Sequence, residues 1–167
     1  MNKILNLKNI DEQLFQPLRL SCSNLEEDSE CREYSGFNFT VNNWNIKFRI
    51  SKITPTKTGQ FVTLWKRNEK GQTAPFCITD DIDFYLIASF NDRLSGIFIF
   101  PKQILLEKGV LSDGKKIGKR GIRVYPTWDK TESQQAQKTQ DWQTQYFLEF
   151  SKDQDEILQQ TKLLLKV

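Results

Sequence analysis

The sequence contains no histidine among its 167 residues. This absence excludes Ser-His-Asp and Cys-His nucleophiles and every metal site that uses histidine. Only three cysteines occur, Cys22, Cys31 and Cys77, and none of them forms a CxxC redox or zinc motif. An odd set of separated cysteines also gives no disulfide framework, so we interpret all three as reduced. An enzyme of this composition would need carboxylate-bound magnesium or calcium, or a lysine acting as acid, base or charge stabiliser.

Long apolar runs are missing as well. No window approaches the roughly 18 uncharged apolar residues that a membrane helix needs. The start of the chain, MNKILNLKNIDEQ, lacks the basic, apolar and small-residue regions of a signal peptide. We therefore expect a cytoplasmic protein with no membrane contact. The length predicts one domain over 1–167, because such a chain buries about two-thirds of its unfolded surface.

The charges are sorted along the chain, although the net charge is only +3. Basic residues concentrate in segments 44–72 and 94–123, each of which has few acids. Acidic residues collect instead in segments 11–33 and 141–156. This distribution predicts a basic side with acidic flanks.

The apolar periodicity predicts an α+β fold with a central mixed twisted sheet flanked by helices. The expected strands are Gly36–Val41, Trp44–Ile50, Phe61–Arg67, Ile82–Phe90, Gly96–Phe100 and Ile122–Tyr125. The first two should form a hairpin, with Lys47 and Arg49 on its outward, basic face. The expected helices are Pro101–Lys108 and Ser133–Glu149, with a strand as the alternative for the last third of the second. A final helix should be capped by Ser151-x-x-Gln154, and the N-terminal extension should contain further helix.

Cations, hydroxyls and aromatic residues alternate in several of these segments. Segment 49–60 surrounds a Pro-Gly loop with cations and hydroxyls, which are groups that hold phosphate oxygens. Segment 118–128 interleaves cations with aromatic residues, a mixture suited to phosphate pairing and base stacking. The alternatives are a solvated turn for the first segment and core packing for the aromatic residues of the second. The predicted nucleic-acid-binding residues are Lys52, Lys57, Lys66, Arg67, Lys102, Lys119, Arg120, Arg123 and Lys138.

A group of three aspartates, Asp80, Asp81 and Asp83, precedes the predicted strand at Ile82–Phe90. Asp83 with an outside carboxylate such as Glu33 could hold a divalent metal ion. Turn capping explains Asp80 and Asp81 equally well, because short acidic side chains hydrogen-bond nearby backbone N–H groups. The sequence leaves both interpretations open.

Several of these strings together resemble the MepB family, small proteins named from an operon that also encodes a multidrug efflux pump and its repressor. The resemblance extends over about 30–147, and the two ends carry no pattern of the family. It rests on Glu33-Tyr34-x-Gly36-x-x-Phe39, Lys52-x-Thr-Pro-Thr-Lys57-x-Gly-Gln-Phe-Val-x-Leu-Trp-Lys-Arg67, Pro75-Phe76, Asp80-Asp-x-Asp83, Gly96-x-Phe-x-Phe-Pro-Lys102, Gly118-Lys-Arg-x-x-Arg-Val-Tyr-Pro-x-Trp128 and Lys138-Thr-Gln-x-Trp-Gln143.

The resemblance implies a restriction-endonuclease-like fold, in which one strand carries an aspartate and the next ends in Glu/Asp-x-Lys. Asp83 matches the first position, and Phe100-Pro101-Lys102 matches the second except that phenylalanine replaces the acid. A magnesium-dependent nuclease would then need Glu33 as substitute ligand beside Asp83 and Lys102. We therefore expect a nucleic-acid-binding protein without a cofactor. The alternatives are an active nuclease with Mg²⁺, or a module that binds a protein or small anionic ligand.

Overall fold

A computed structural model describes residues 3–167, with side chains from Leu7 onward. Met1 and Asn2, which begin the segment tested above for a signal peptide, lie outside the described residues. The helices are α1 (Lys3–Ile10), α2 (Lys102–Glu107), α3 (Gln134–Gln143) and α4 (Gln154–Leu165). The strands are β1 (Cys22–Glu27), β2 (Phe37–Val41), β3 (Trp44–Ile50), β4 (Lys52–Ile53), β5 (Gln60–Thr63), β6 (Trp65–Arg67), β7 (Thr73–Pro75), β8 (Phe84–Phe90), β9 (Ser95–Pro101), β10 (Gly121–Val124) and β11 (Phe147–Glu149).

Six of the strands form a central sheet in the order β1-β2-β3-β8-β9-β11. The sheet is mixed, because β3 and β8 run parallel while the other neighbours are antiparallel. The predicted α+β class and central mixed sheet are therefore confirmed, as are the β2–β3 hairpin and the neighbouring strands β8 and β9. Two smaller sheets have the orders β10-β5-β4 and β6-β7.

The central sheet is covered on both faces. One face packs against α1, α4 and the short helical turns that follow α1. The other face packs against β5, β10, α2 and α3. The strands β8 and β9 are buried on both faces and accordingly read as almost continuous apolar runs. Among residues 3–167, no helix combines the length and the apolar character needed to cross a membrane.

The prediction that Lys47 and Arg49 form an outward basic face is wrong. Arg49 is fully buried, and Lys47 is largely buried beside it. The face that carries them is covered by the second layer of the fold. Both cations pair with the single carboxylate of Asp28, which precedes the 3₁₀ segment Ser29–Tyr34.

Three predicted element boundaries are corrected by the packing. The predicted strand Phe61–Arg67 breaks at Leu64, whose side chain is buried, so β5 and β6 join different sheets. The predicted helix Ser133–Glu149 ends at Gln143, and the alternative of a strand in its last third is confirmed by β11, where Phe147 and Leu148 pack on opposite faces of the central sheet. The last helix is capped by Asp153, whose side chain accepts from the N–H groups of Asp155 and Glu156. Ser151 instead donates to Glu149.

Candidate functional site

A groove of about 670 Å³ lies between the small sheet β10-β5-β4 and helix α3. Strands β5 and β10 supply its floor, the 54–59 loop supplies one wall, and α3 with the end of α2 supplies the other. The lining residues that carry charge or an aromatic ring are Lys57, Phe61, Lys108, Lys119, Arg123, Tyr125, Glu132 and Trp142. Among the described residues, the groove therefore combines four cations and three aromatic side chains with a single carboxylate.

Three of the predicted cations, Lys57, Lys119 and Arg123, come together in this groove. The prediction that Lys57 and Lys119 lie on the same side of the molecule is confirmed, although 61 positions separate them in the sequence. Within residues 3–167, neither lysine forms an ion pair or a side-chain hydrogen bond. Both ammonium groups are therefore available to an anion from outside the chain.

Arg123 has a structural contact as well as a place in the groove. Its Nη1 atom donates to Thr54 Oγ1 at 2.9 Å and to the carbonyl oxygens of Thr58 and Gly59 at 3.3 and 3.2 Å. The guanidinium thereby holds the 54–59 loop against β10. This contact fixes the position of Lys57, which lies in the same loop.

Two glycines make room for the aromatic side of the groove. Gly59 has a φ of 84°, and a Cβ atom there would lie 2.7 Å from the Tyr125 ring. A Cβ atom at Gly121 would lie 2.7 Å from the Phe61 ring. Any larger residue would displace these rings, so both positions require glycine for the observed packing.

Helix α3 is attached to the edge of the small sheet by two buried glutamines. Gln143 accepts from the N–H of Tyr125 at 2.8 Å and donates to the carbonyl of Arg123 at 3.0 Å. Gln140 donates to the carbonyls of Pro126 and Asp129, both at 2.9 Å. These bonds satisfy backbone groups that no neighbouring strand could reach. The glutamines of the Lys138–Gln143 segment therefore position the wall of the groove.

A second depression of about 560 Å³ adjoins the groove on the outer side of α3. Lys138, another predicted cation, lines it together with Lys108. The Lys108 ammonium lies 5.6 Å from the centroid of the Trp142 ring. Sequence reasoning did not select Lys108, because it stands at the end of a helix with no motif around it. Only the packing of α3 beside α2 brings it into the site.

The other predicted cations lie outside the groove, and most have partners within the protein. Lys66 pairs with Asp80, and Arg67 pairs with Glu30. Arg120 donates to the carbonyl of Thr73. These contacts within the protein occupy donor groups that were predicted to bind phosphate.

Two further predicted cations are placed differently. Lys52 lies on strand β4, and its ammonium group is 4.7 Å from the centroid of the Tyr34 ring. Lys102 stands in the first turn of α2, outside both depressions. The two basic segments therefore converge only in part.

The acidic candidates do not form a metal site. Asp83 accepts from the Asn45 N–H at 2.8 Å, at the start of the parallel strands β3 and β8. Glu33 lies in the segment just before β2, whose first residue pairs with Phe48 near the other end of β3. Within residues 3–167, no three acidic or cysteine side chains are grouped to hold a metal ion. Asp80 caps the Cys77 N–H, in agreement with the turn-capping interpretation.

The structure does bring Asp83 and Lys102 together. The Lys102 N–H donates to the Asp83 carbonyl at 3.1 Å across strands β8 and β9. Phe100, which stands where the sequence resemblance implied a metal-binding acid, is fully buried between the Phe98 and Trp142 rings. This position is therefore part of the hydrophobic core.

Comparison with known proteins supports the resemblance seen in the sequence. A family model described as MepB-like matches residues 28–149. The solved structure titled "Crystal Structure of MepB" is similar to this chain, with a TM-score of 0.79 and 32% sequence identity. The match covers 92% of this chain and 99% of that one. No curated protein matches the sequence.

Proposed function

We propose that this chain, which belongs to the MepB-like family, binds nucleic acid through phosphate contacts in the groove between the small sheet and α3. The observation that carries the proposal is the meeting of Lys57, Lys108 and Lys119 from three separate segments, with no ion pair to any of them among residues 3–167. The described lining carries four cations against one carboxylate, Glu132, and a bound polyanion offsets this excess of positive charge.

The lining of the groove favours phosphate contacts over base reading. Phosphate oxygens accept from lysine, arginine, hydroxyl and amide groups, and the groove presents all four kinds. Sequence-specific recognition instead requires an element that enters a groove of the nucleic acid with several fixed side chains. The flexible lysines that dominate here are point charges. We therefore propose binding that varies little with sequence.

Binding should weaken steeply as salt rises. If Lys57, Lys108, Lys119 and Arg123 each engage one phosphate of duplex DNA, the logarithm of the binding constant should fall against that of salt with a slope of about −3.6. Single strands of DNA or RNA should give shallower slopes, because their charge density is lower. Titration of labelled duplex, single strand and RNA at several salt concentrations measures these slopes.

Charge removal identifies the cations that act. Lys57→Gln and Lys119→Gln should each weaken all sequences equally and reduce the duplex slope by about 0.9. Lys162→Gln is the matched control, because this exposed lysine lies in α4 on the opposite face of the central sheet. A folded protein that binds none of the three nucleic acids at low salt would contradict the proposal. A protein or small anion would then be the better ligand.

We further propose that the fold is related to that of restriction endonucleases and has lost hydrolysis. The support for the relation is the backbone hydrogen bond that joins Asp83, just before β8, to Lys102, just after β9, at the same end of two adjacent antiparallel strands. The support for the loss is Phe100, which fills the position of the second acid with a buried ring. Two acids normally share the magnesium ion that activates water and neutralises phosphate charge.

Purified protein should therefore not hydrolyse DNA or RNA in the presence of magnesium. A fluorescent-substrate assay with Mg²⁺ and Mn²⁺, compared with a chelator control, measures the rate. Magnesium-dependent cleavage that disappears in both Asp83→Ala and Glu33→Ala would overturn this prediction. Cleavage that persists in both variants would identify a contaminating nuclease.

A further inference from the structure

The groove and the depression beside it have a common boundary. Lys108, Gln135, Thr139 and Trp142 line both. Gln135, Thr139 and Trp142 are spaced at i, i+4 and i+7, so they form one stripe along α3. The stripe is about 10 Å long at the usual helical rise. Ala136 and Gln143 flank it on the groove side, and Gln134 and Lys138 flank it on the outer side.

We infer that the two depressions are one continuous track for a phosphodiester chain, which crosses α3 at Trp142 and ends at Lys138. This inference rests on the proposed function and extends it from a site to a path. It means that the ligand is a polymer long enough to occupy both depressions. A mononucleotide or a single phosphate would fill only the groove.

Lys108 is the residue that joins the two parts of the track. It stands at the C-terminal end of α2, and its ammonium group lies over the Trp142 ring. Within residues 3–167 it forms no ion pair with a carboxylate. An ammonium carries three N–H donors, and contact with the ring face leaves donors for a phosphate. Lys108 can therefore bind a phosphate that passes between the depressions.

Charge and polarity also continue across α3. No carboxylate lines the outer depression among the described residues, and its polar lining consists of lysines, glutamines and a threonine. Lys138 is exposed and, within residues 3–167, its ammonium group has no hydrogen-bond partner or ion pair. Asp141, the acid of α3, accepts from Gln137. Beyond Glu132, which lines the groove, a polyanion that enters the outer depression therefore meets cations and amides among the described residues.

The test compares two ligand lengths. Labelled thymidine oligomers of about 4 and about 15 nucleotides serve as probes because they are unstructured, and wild type is expected to bind both at low salt. Lys138→Gln should weaken the longer oligomer about five- to tenfold near 50 mM salt, and should reduce its salt slope by about 0.7. The short oligomer should be unaffected by this change. Lys108→Gln should weaken both oligomers, and Lys162→Gln neither.

Two results would overturn the track. In one, wild type binds both oligomers and Lys138→Gln leaves the affinity and salt slope of the longer one unchanged. In the other, Lys138→Gln weakens both oligomers by the same factor, which indicates a general charge effect. Failure of wild type to bind any nucleic acid would instead overturn the proposed function itself. Thermal unfolding of each variant confirms that the exposed substitutions leave the fold intact.

Discussion

Replacing Asp28 with asparagine should lower the free energy of unfolding by about 3–5 kcal/mol, the usual effect of removing one partner of a buried ion pair. Asp28 Oδ2 accepts from Arg49 Nη2 at 2.6 Å and from Lys47 Nζ at 3.4 Å. Without the carboxylate, two buried cations would face each other uncompensated. Arg49 is the largest fully buried side chain, so its charge cannot turn to solvent.

The asparagine substitution separates the charge of Asp28 from its role as the N-cap of a 3₁₀ segment. The Asp28 side chain also accepts from the Glu30 N–H as the N-cap of the 3₁₀ segment. Asparagine caps a helical turn as well as aspartate does, so the cap is retained in the variant. The expected loss of stability therefore reports the ion pairs with Lys47 and Arg49. Urea unfolding at pH 7 measures it.

The same cluster predicts an acid-dependent loss of stability. Burial raises the pKa of Asp28, but the charges of Arg49 and Lys47 and its hydrogen bonds outweigh burial and hold the pKa below its ordinary value of 3.8. A carboxyl with a lowered pKa stabilises the folded state above its unfolded pKa. That contribution disappears as the pH falls through the folded pKa. Wild type should therefore lose more stability than Asp28→Asn between about pH 5 and pH 2.

Two controls separate burial from charge. Glu30→Gln removes the partner of Arg67 in an exposed pair, and should change stability by no more than about 1 kcal/mol. Asp28→Asn combined with Arg49→Met removes the uncompensated guanidinium, and should recover part of the lost stability. Equal effects of Asp28→Asn and Glu30→Gln would contradict the prediction. They would mean that water reaches the buried cluster.

The buried cluster also shows where sequence reasoning stops. Alternation in β3 correctly predicted the strand and placed Lys47 and Arg49 on one face. It could not show that this face is covered. Phe76 belongs to the covering layer and Ile87 to the covered face of the central sheet, but both are distant from β3 in sequence. It also could not pair either cation with Asp28, because the pairing depends on how the chain enters β2. Local periodicity predicts faces, whereas burial depends on the second layer.

The groove, like the buried cluster, was predicted from the sequence only in part. Lys57, Lys119 and Arg123 stand in polar loops or on an edge strand beside glycines, where side chains reach solvent, and the structure brings them together. Lys66 and Arg67 carry the same charge in a similar pattern, but Asp80 and Glu30 neutralise them through tertiary contacts. Composition therefore identified cations correctly without identifying which of them are unpaired. Lys108 could be found only after α3 was placed.

Replacing Gln143 with alanine is expected to have the second-largest effect on stability, a loss of about 2–4 kcal/mol. The side chain is almost fully buried and bonds both the Tyr125 N–H and the Arg123 carbonyl. Strand β10 lies at the edge of its sheet, so no other strand can replace these bonds. Each backbone group left without a partner adds about 1–3 kcal/mol of desolvation. Chemical denaturation with fluorescence detection measures the change.

Gln145→Ala is the matched control, because that glutamine is exposed two positions further on and makes only a long 3.4 Å contact with the Asp141 carbonyl. It should leave stability within about 0.5 kcal/mol of wild type. A Gln143→Ala variant as stable as Gln145→Ala would contradict the prediction and show that water replaces the two hydrogen bonds of the Gln143 side chain. The two hydrogen bonds of Gln143 also set the distance between α3, one wall of the groove, and β10, part of its floor. Gln143→Ala should therefore weaken nucleic-acid binding without the change in salt slope that follows loss of a lysine, since it removes geometry and no charge.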